Sequence, residues 1–178
     1  MRNRILKFII LLAILFTGCN ADLYTKHLAL NHLKENPTIT VVDGFMEFSY
    51  TENRGMIFGI MNQKESSLKN DLLTGVNIIS IMFLLFVIWR MRNLSFFYHL
   101  PFFIILSGAL GNLIDRIRMG HVIDFIHIYF LDVIDWPYLF NVADVFITIG
   151  GILLVILVIF RGDKIEERIF RKTMAESN

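Results

Sequence analysis

LLTGVNIISIMFLLFVIW, residues 72–89, holds no charged residue. Its length is close to the roughly 20 residues a helix needs to cross the hydrocarbon of a bilayer. Three further stretches share that character: 94–114, 140–160 and 5–24. The last is the weakest, because Lys7 and Asn20 interrupt it. The composition agrees. Of 178 residues, 55% are hydrophobic and 17 are Phe, and the mean hydropathy is +0.58. That is more apolar surface than a soluble domain of this length needs. The fold class expected is an all-α membrane protein with four transmembrane helices, residues 1–178 forming a single integral membrane domain.

Flanking charge orients the spans. Arg2, Arg4 and Lys7 lead the first. Arg90 and Arg92 separate the second from the third, and Arg161, Lys164, Arg168, Arg171 and Lys172 follow the fourth. In a four-span topology all three clusters fall on one side. The positive-inside rule makes that side cytoplasmic, with both termini inside. Loops 25–71 and 115–139 then face outward, and 161–178 reads as a frayed cytoplasmic tail. The first outer loop contains Thr38–Val42 and Phe45–Thr51, rich in β-formers, around Asp43-Gly44. An Asp-Gly pair so flanked predicts a hairpin, and with it a small extramembrane β-structure. Trp136-Pro137-Tyr138 in the second outer loop suits an interfacial aromatic belt.

Several function classes are disfavoured. A net charge of +1 offers nothing to nucleic acid. Cys19 is the only cysteine, so no internal disulfide forms. The five histidines are scattered without zinc spacing, which argues against a metal site. Phe16-Thr17-Gly18-Cys19 resembles a lipoprotein cleavage box, but loss of residues 1–18 would remove the first span, so an uncleaved helix is expected.

Polar residues gather at the outer ends of the spans. Asp22 and Lys26 are four apart on one helical face and can pair. Asn53-Arg54-Gly55 follows the hairpin. Asn112, Asp115 and Arg116 lie in GALGNLIDRIRMGHVID (108–124), which ends at Asp124, and Asn141 and Asp144 lie in FNVAD (140–144). Singly, each has an ordinary explanation, such as a helix-end ion pair, a turn, or an acid favoured by a helix dipole. Carboxylates at a bilayer edge are costly to desolvate and usually have a partner or a task. Asp124 and Asp144, if the fold unites them, resist ionising together and can share a proton, the arrangement by which water is made to cleave amides. A proton-coupled carrier or a structural subunit with salt-bridged aspartates are the rival readings. The span centres, almost free of charge, speak against the carrier.

DLYTK, GNLIDR, GHVIDF and FNVAD, in this order and spacing over residues 20–150, resemble the lipoprotein signal peptidase (bacterial signal peptidase II) family. The resemblance implies an intramembrane aspartyl endopeptidase that removes the signal peptide from diacylglyceryl-modified prolipoproteins before the lipidated cysteine. It implies four transmembrane helices with a small β-cradle. Asp124 and Asp144 match the catalytic pair. Asp22, Lys26, Asn53, Gly55, Asn112, Asp115, Arg116 and Asn141 match supporting or substrate-contacting positions. No metal and no cofactor is implied. The partners expected are prolipoprotein substrates and membrane lipid, with the enzyme a monomer in the bacterial inner membrane and its active site at the outer face. One departure is Met56-Ile57, where the family usually has small residues, which bears on the contacts of Asn53 and Gly55.

Overall fold

The computed structural model describes residues 2–35, 38–55, 67–130, 134–135 and 138–176. Among these the elements are α1 (Arg2–Leu33), β1 (Ile39–Val42), β2 (Met46–Asn53), α2 (Ser67–Arg90), α3 (Phe96–Met119), β3 (Val122–Phe130), β4 (Ile134–Asp135) and α4 (Val142–Glu176). Each helix contains a stretch long and apolar enough to cross a membrane: Arg4–Leu33, Asn70–Arg90, Phe96–Met119 and Val142–Phe160.

The helices bury polarity and display oil. Asp22 is 0% exposed and Lys26 1%, whereas Phe83 is 63% exposed and Phe86, Trp89, Val155 and Ile159 are also on the outside. Such inversion is stable where the surroundings are lipid. Helix α3 is central and touches each of the other helices. His99, Phe102, Phe103, Leu106, Ala109, Asn112 and Asp115 are all buried, a stripe at spacings of three and four that keeps one face inward. Its first half packs with Leu11 of α1 and Ile81 and Ile88 of α2. Close approach relies on small residues. A Cβ on Gly108 would strike the carbonyl of Ala143 in α4, and one on Gly111 would strike the Asp22 carboxylate of α1.

The boundaries differ from the sequence expectation in instructive ways. Helix α1 continues nine residues past Tyr24, which keeps Asp22 and Lys26 on one helical face as expected. Helix α3 continues to Met119, which puts Asp115 and Arg116 on the helix as well. Gly120, at φ 77°, ends it with its N–H bonded to the Arg116 carbonyl at 3.0 Å. Helix α4 runs on to Glu176 through the stretch read as a frayed tail. The hairpin forms as expected, but its turn takes in Phe45, whose N–H bonds the Val42 carbonyl at 3.0 Å. Gly44 supplies the left-handed residue at φ 72°. Within the span read as an outer loop, β3 is a nine-residue strand, and the sheet order is β1-β2-β3-β4, antiparallel throughout. Ala29 and Leu33 of α1 pack on Ile123 and Phe125 of β3, joining sheet to bundle. Trp136 and Pro137 lie outside the described residues, as do Met56 and Ile57.

Candidate active site

Two backbone devices bring the distant acids together. In the β2–β3 register Thr51 faces Asp124 and Asn53 faces Val122. Residues two apart share a sheet face, so Asn53 reaches Asp124 diagonally, and its Nδ2 donates to Asp124 Oδ2 at 2.8 Å. The second device is a bridge between Ile126 and Phe140, with N–H···O bonds of 2.8 and 3.0 Å. It sets the start of α4 against β3, and Asn141 Nδ2 donates to Asp124 Oδ1 at 2.6 Å.

Asn141 also begins α4. Its Oδ1 accepts the Asp144 N–H at 3.1 Å, and Asp144 Oδ2 accepts the Asn141 N–H at 3.2 Å. This is a reciprocal capping box between the N-cap and the third helical residue. The remaining hydrogen of the Asn141 amide goes to Asn112 Oδ1 at 3.3 Å, so every polar group of that side chain is engaged. One amide therefore contacts Asp124 directly and is locked reciprocally to Asp144.

Helices α1 and α3 supply the second half. Lys26 Nζ contacts Asp22 Oδ2 at 2.7 Å, Asp115 Oδ2 at 2.9 Å and Asn112 Oδ1 at 2.7 Å. An ammonium has three donors, and here all three are used. Because Lys26 only donates, Asn112 must turn its oxygen toward it. Its Nδ2 then points at Asp144 Oδ1, 3.0 Å away. The other oxygen of Asp22 accepts the Ala143 N–H at 2.7 Å, so a side chain of α1 caps α4. Arg116 donates to the Asn112 carbonyl at 3.4 Å and lies within electrostatic range of Asp144, Asp124 and Asp115.

The ten residues singled out in the sequence thus fall into one network, with Gly55 at its margin. Gly55, at φ 90°, donates its N–H to Asn53 Oδ1 at 2.8 Å, which leaves the Asn53 amide free to meet Asp124. Burial pushes the Asp124 carboxyl up to about 6, helped by the charge of Asp144 and opposed by the bonds from Asn53 and Asn141. Asp144 is only half-buried and sits in the first turn of α4, where the helix dipole favours negative charge. His121 and His127 lie against Glu52 and Glu47, at 3.8 and 2.9 Å. No cluster among the described residues is arranged to hold a metal ion.

What the sequence did not disclose is who holds whom. The capping box had a signal, an Asn three residues ahead of an acid at the start of an apolar run. The Asp22 cap on α4 and the Lys26–Asn112 contact join residues 121 and 86 positions apart and had none.

Comparison with known proteins finds relatives over most of the chain. A family model described as Signal peptidase (SPase) II matches residues 12–160. The chain is 36% identical to a lipoprotein signal peptidase of Clostridium tetani, over 87% of this chain and 95% of that one. It is 37% identical to one of Clostridioides difficile, over 87% and 97%. Among solved structures, a bacterial membrane enzyme determined by the in meso method at 1.9 Å superposes with a TM-score of 0.71 at 25% identity, covering 85% of this chain and 93% of the other. A second, at 2.3 Å, gives 0.67 at 27%.

Proposed function

The chain belongs to the signal peptidase II family, and from that premise we propose that Asp124 and Asp144 are the catalytic pair of an intramembrane endopeptidase acting on diacylglyceryl-modified prolipoproteins. Membership makes it an aspartic-type lipoprotein signal peptidase and a multi-pass bacterial membrane protein. The observation that carries the assignment of the pair is Asn141, whose amide donates to Asp124 while its carbonyl oxygen and N–H are tied to Asp144.

The site contains four carboxyl groups, Asp22, Asp115, Asp124 and Asp144, against two cations, Lys26 and Arg116. Adjacent like charges disfavour full ionisation, so the pair shares a proton and titrates as a unit. Asp124 is the more buried member and its carboxyl is raised, and in the proposed cycle it starts with the proton. Asp144 takes a proton from water as the water oxygen bonds to the scissile carbonyl carbon. Asp124 gives its proton to the carbonyl oxygen. Collapse of the resulting diol returns a proton to Asp124, and Asp144 protonates the departing amine as the C–N bond breaks. Asn112 and Asn141 hold the acids in position. Asp22, Lys26 and Asp115 hold the asparagines.

An apolar groove of about 490 Å³ runs along α1, past Ile9 and Ile14, to Ala21 and Phe146. Ala21 adjoins Asp22, and Phe146 lies two residues beyond Asp144. That course suits the acyl chains and apolar helix of a lipidated precursor and supports the substrate assignment. The charge asymmetry of the loops supports both termini on the cytoplasmic side and the acid pair at the outer face. The groups named in the network all lie on one chain, and a monomer is the proposed working form.

The decisive experiment is turnover of a lipidated precursor by Asp124→Asn and Asp144→Asn. Each should lose at least about a thousandfold in kcat while keeping the wild-type helical spectrum. Wild-type turnover by either variant would remove the pair from the chemistry. Precursor lacking the diacylglyceryl group should be cut far more slowly. Equal rates would mean that lipid is not read.

A further inference from the structure

The end of the bundle away from the acid pair carries a polar feature that peptide cleavage does not use. Arg4 and Lys7 of α1 and Arg92 of the α2–α3 turn line a hollow of about 270 Å³, together with Asn93 and Ser95. Lys7 is fifteen residues before Asp22 on one helix, about 22 Å at 1.5 Å per residue. Its Nζ donates to the carbonyls of Leu94 at 3.0 Å and Arg92 at 3.3 Å and lies 4.3 Å from the ring centre of Phe8. Two of three donors are thereby used and one remains. Arg92 lies 5.2 Å over the Trp89 ring and donates to the Trp89 carbonyl at 3.4 Å, and Arg4 is exposed.

Helix α3 starts at the same place. Ser95, its N-cap, makes no side-chain cap bond. The first N–H groups of a helix have no intrahelical acceptor and carry the positive end of its dipole. No acidic residue is among the described residues lining the hollow. Three formal positive charges and a helix N-terminus therefore converge on one concave space whose described lining holds no counter-charge, which is the electrostatic requirement of an anion site. Ile5, Leu6 and Phe97 beside it are exposed and apolar, so the anion that fits best has an apolar remainder.

We propose that this hollow binds the phosphate headgroup of an anionic phospholipid, whose acyl chains lie along Ile5, Leu6 and Phe97. The inference is independent of which residues cleave the substrate. Basic pockets between membrane helices take such headgroups, and each cation near the surface is worth about fivefold in affinity.

The test uses the full chain, delipidated in uncharged detergent, with lipid binding read by native mass spectrometry. Phosphatidylglycerol and phosphatidylcholine of identical acyl chains are compared. Phosphatidylglycerol should be retained preferentially. The double variant Arg4→Gln/Arg92→Gln should lose roughly 25-fold of that preference, with cleavage in uncharged detergent unchanged. Both side chains lie on the surface, so the variant keeps its core. Equal retention of the two lipids by the wild-type protein overturns the proposal, as does undiminished preference in the double variant. Inorganic phosphate is the third arm: if it binds as tightly as phosphatidylglycerol, the hollow is a free-anion site and the lipid assignment falls.

Discussion

Asn141 caps α4 with its oxygen and supplies the acid pair with its amide hydrogens, and the two roles can be separated. Asp is also a good N-cap but has no hydrogens to give. Asn141→Asp should keep the cap yet lose about a hundredfold or more in kcat, and it should melt below the wild-type protein, because a buried acceptor then faces Asp124 across the 2.6 Å contact. Asn141→Ala should lose activity and about 1 kcal/mol of stability. Equal turnover by the Asp variant would show that the amide is dispensable. Asp124 makes a prediction in pH. Its carboxyl is raised in the folded protein to about 6, from an ordinary value near 4. The stability it contributes is fully present below about pH 4 and is lost as pH rises through about 6, an effect on the order of 3 kcal/mol. The melting temperature of the wild-type protein should fall between pH 4 and pH 7 more than that of Asp124→Asn. Parallel curves would mean that burial does not perturb this group. At this scale the residue types were legible, since a membrane-edge Asp, Asn or Lys has few innocent explanations. Their pairings were not, because hydrogen bonds such as Lys26 to Asn112 depend on helix packing distances that one-dimensional spacing does not encode.

Helix α3 and strand β3 show where reading by element succeeds and fails. The four spans were legible because some twenty apolar residues in a row have few other uses. The hairpin was legible from Asp43-Gly44. Strand β3 was not read, although VIDFIHIYF is rich in β-branched and aromatic residues. Its buried Asp124 and half-buried His127 look like loop polarity until the partner strand and α4 are in place. The helices also run past the apolar stretches that mark the spans. Polar side chains in the last turns of α1 and α3 end the apolar runs, and they face inward to one another. Gly111 tests how tightly those turns fit. Its missing Cβ is the space occupied by the Asp22 carboxylate, so Gly111→Ala must displace the group that caps α4 and pairs with Lys26. A loss of about 1–3 kcal/mol, with a fall in kcat, should be measurable by thermal melting and precursor turnover. An unaffected variant would show that α1 and α3 separate easily.

Across the molecule, a single ammonium at Lys26 ties α1 to α3 and, through Asp22, to α4. Lys26→Met leaves Asp22 and Asp115 buried without a counter-ion and should cost about 3–5 kcal/mol. Adding Asp22→Asn and Asp115→Asn should recover most of that loss in a thermal melt. Failure to recover would mean that the lysine acts by shape and not by charge. The wider consequence follows from the inverted polarity of the bundle. The buried ionic groups Asp22, Lys26 and Asp115 are solvated by each other, and the outward faces of the spans are apolar. Exchanging the bilayer for a micelle of matching thickness thus replaces one oil with another and touches none of the hydrogen bonds around the aspartates. Extraction into mild detergent should spare the chemistry, and what it strips away is the company the protein keeps at its rim.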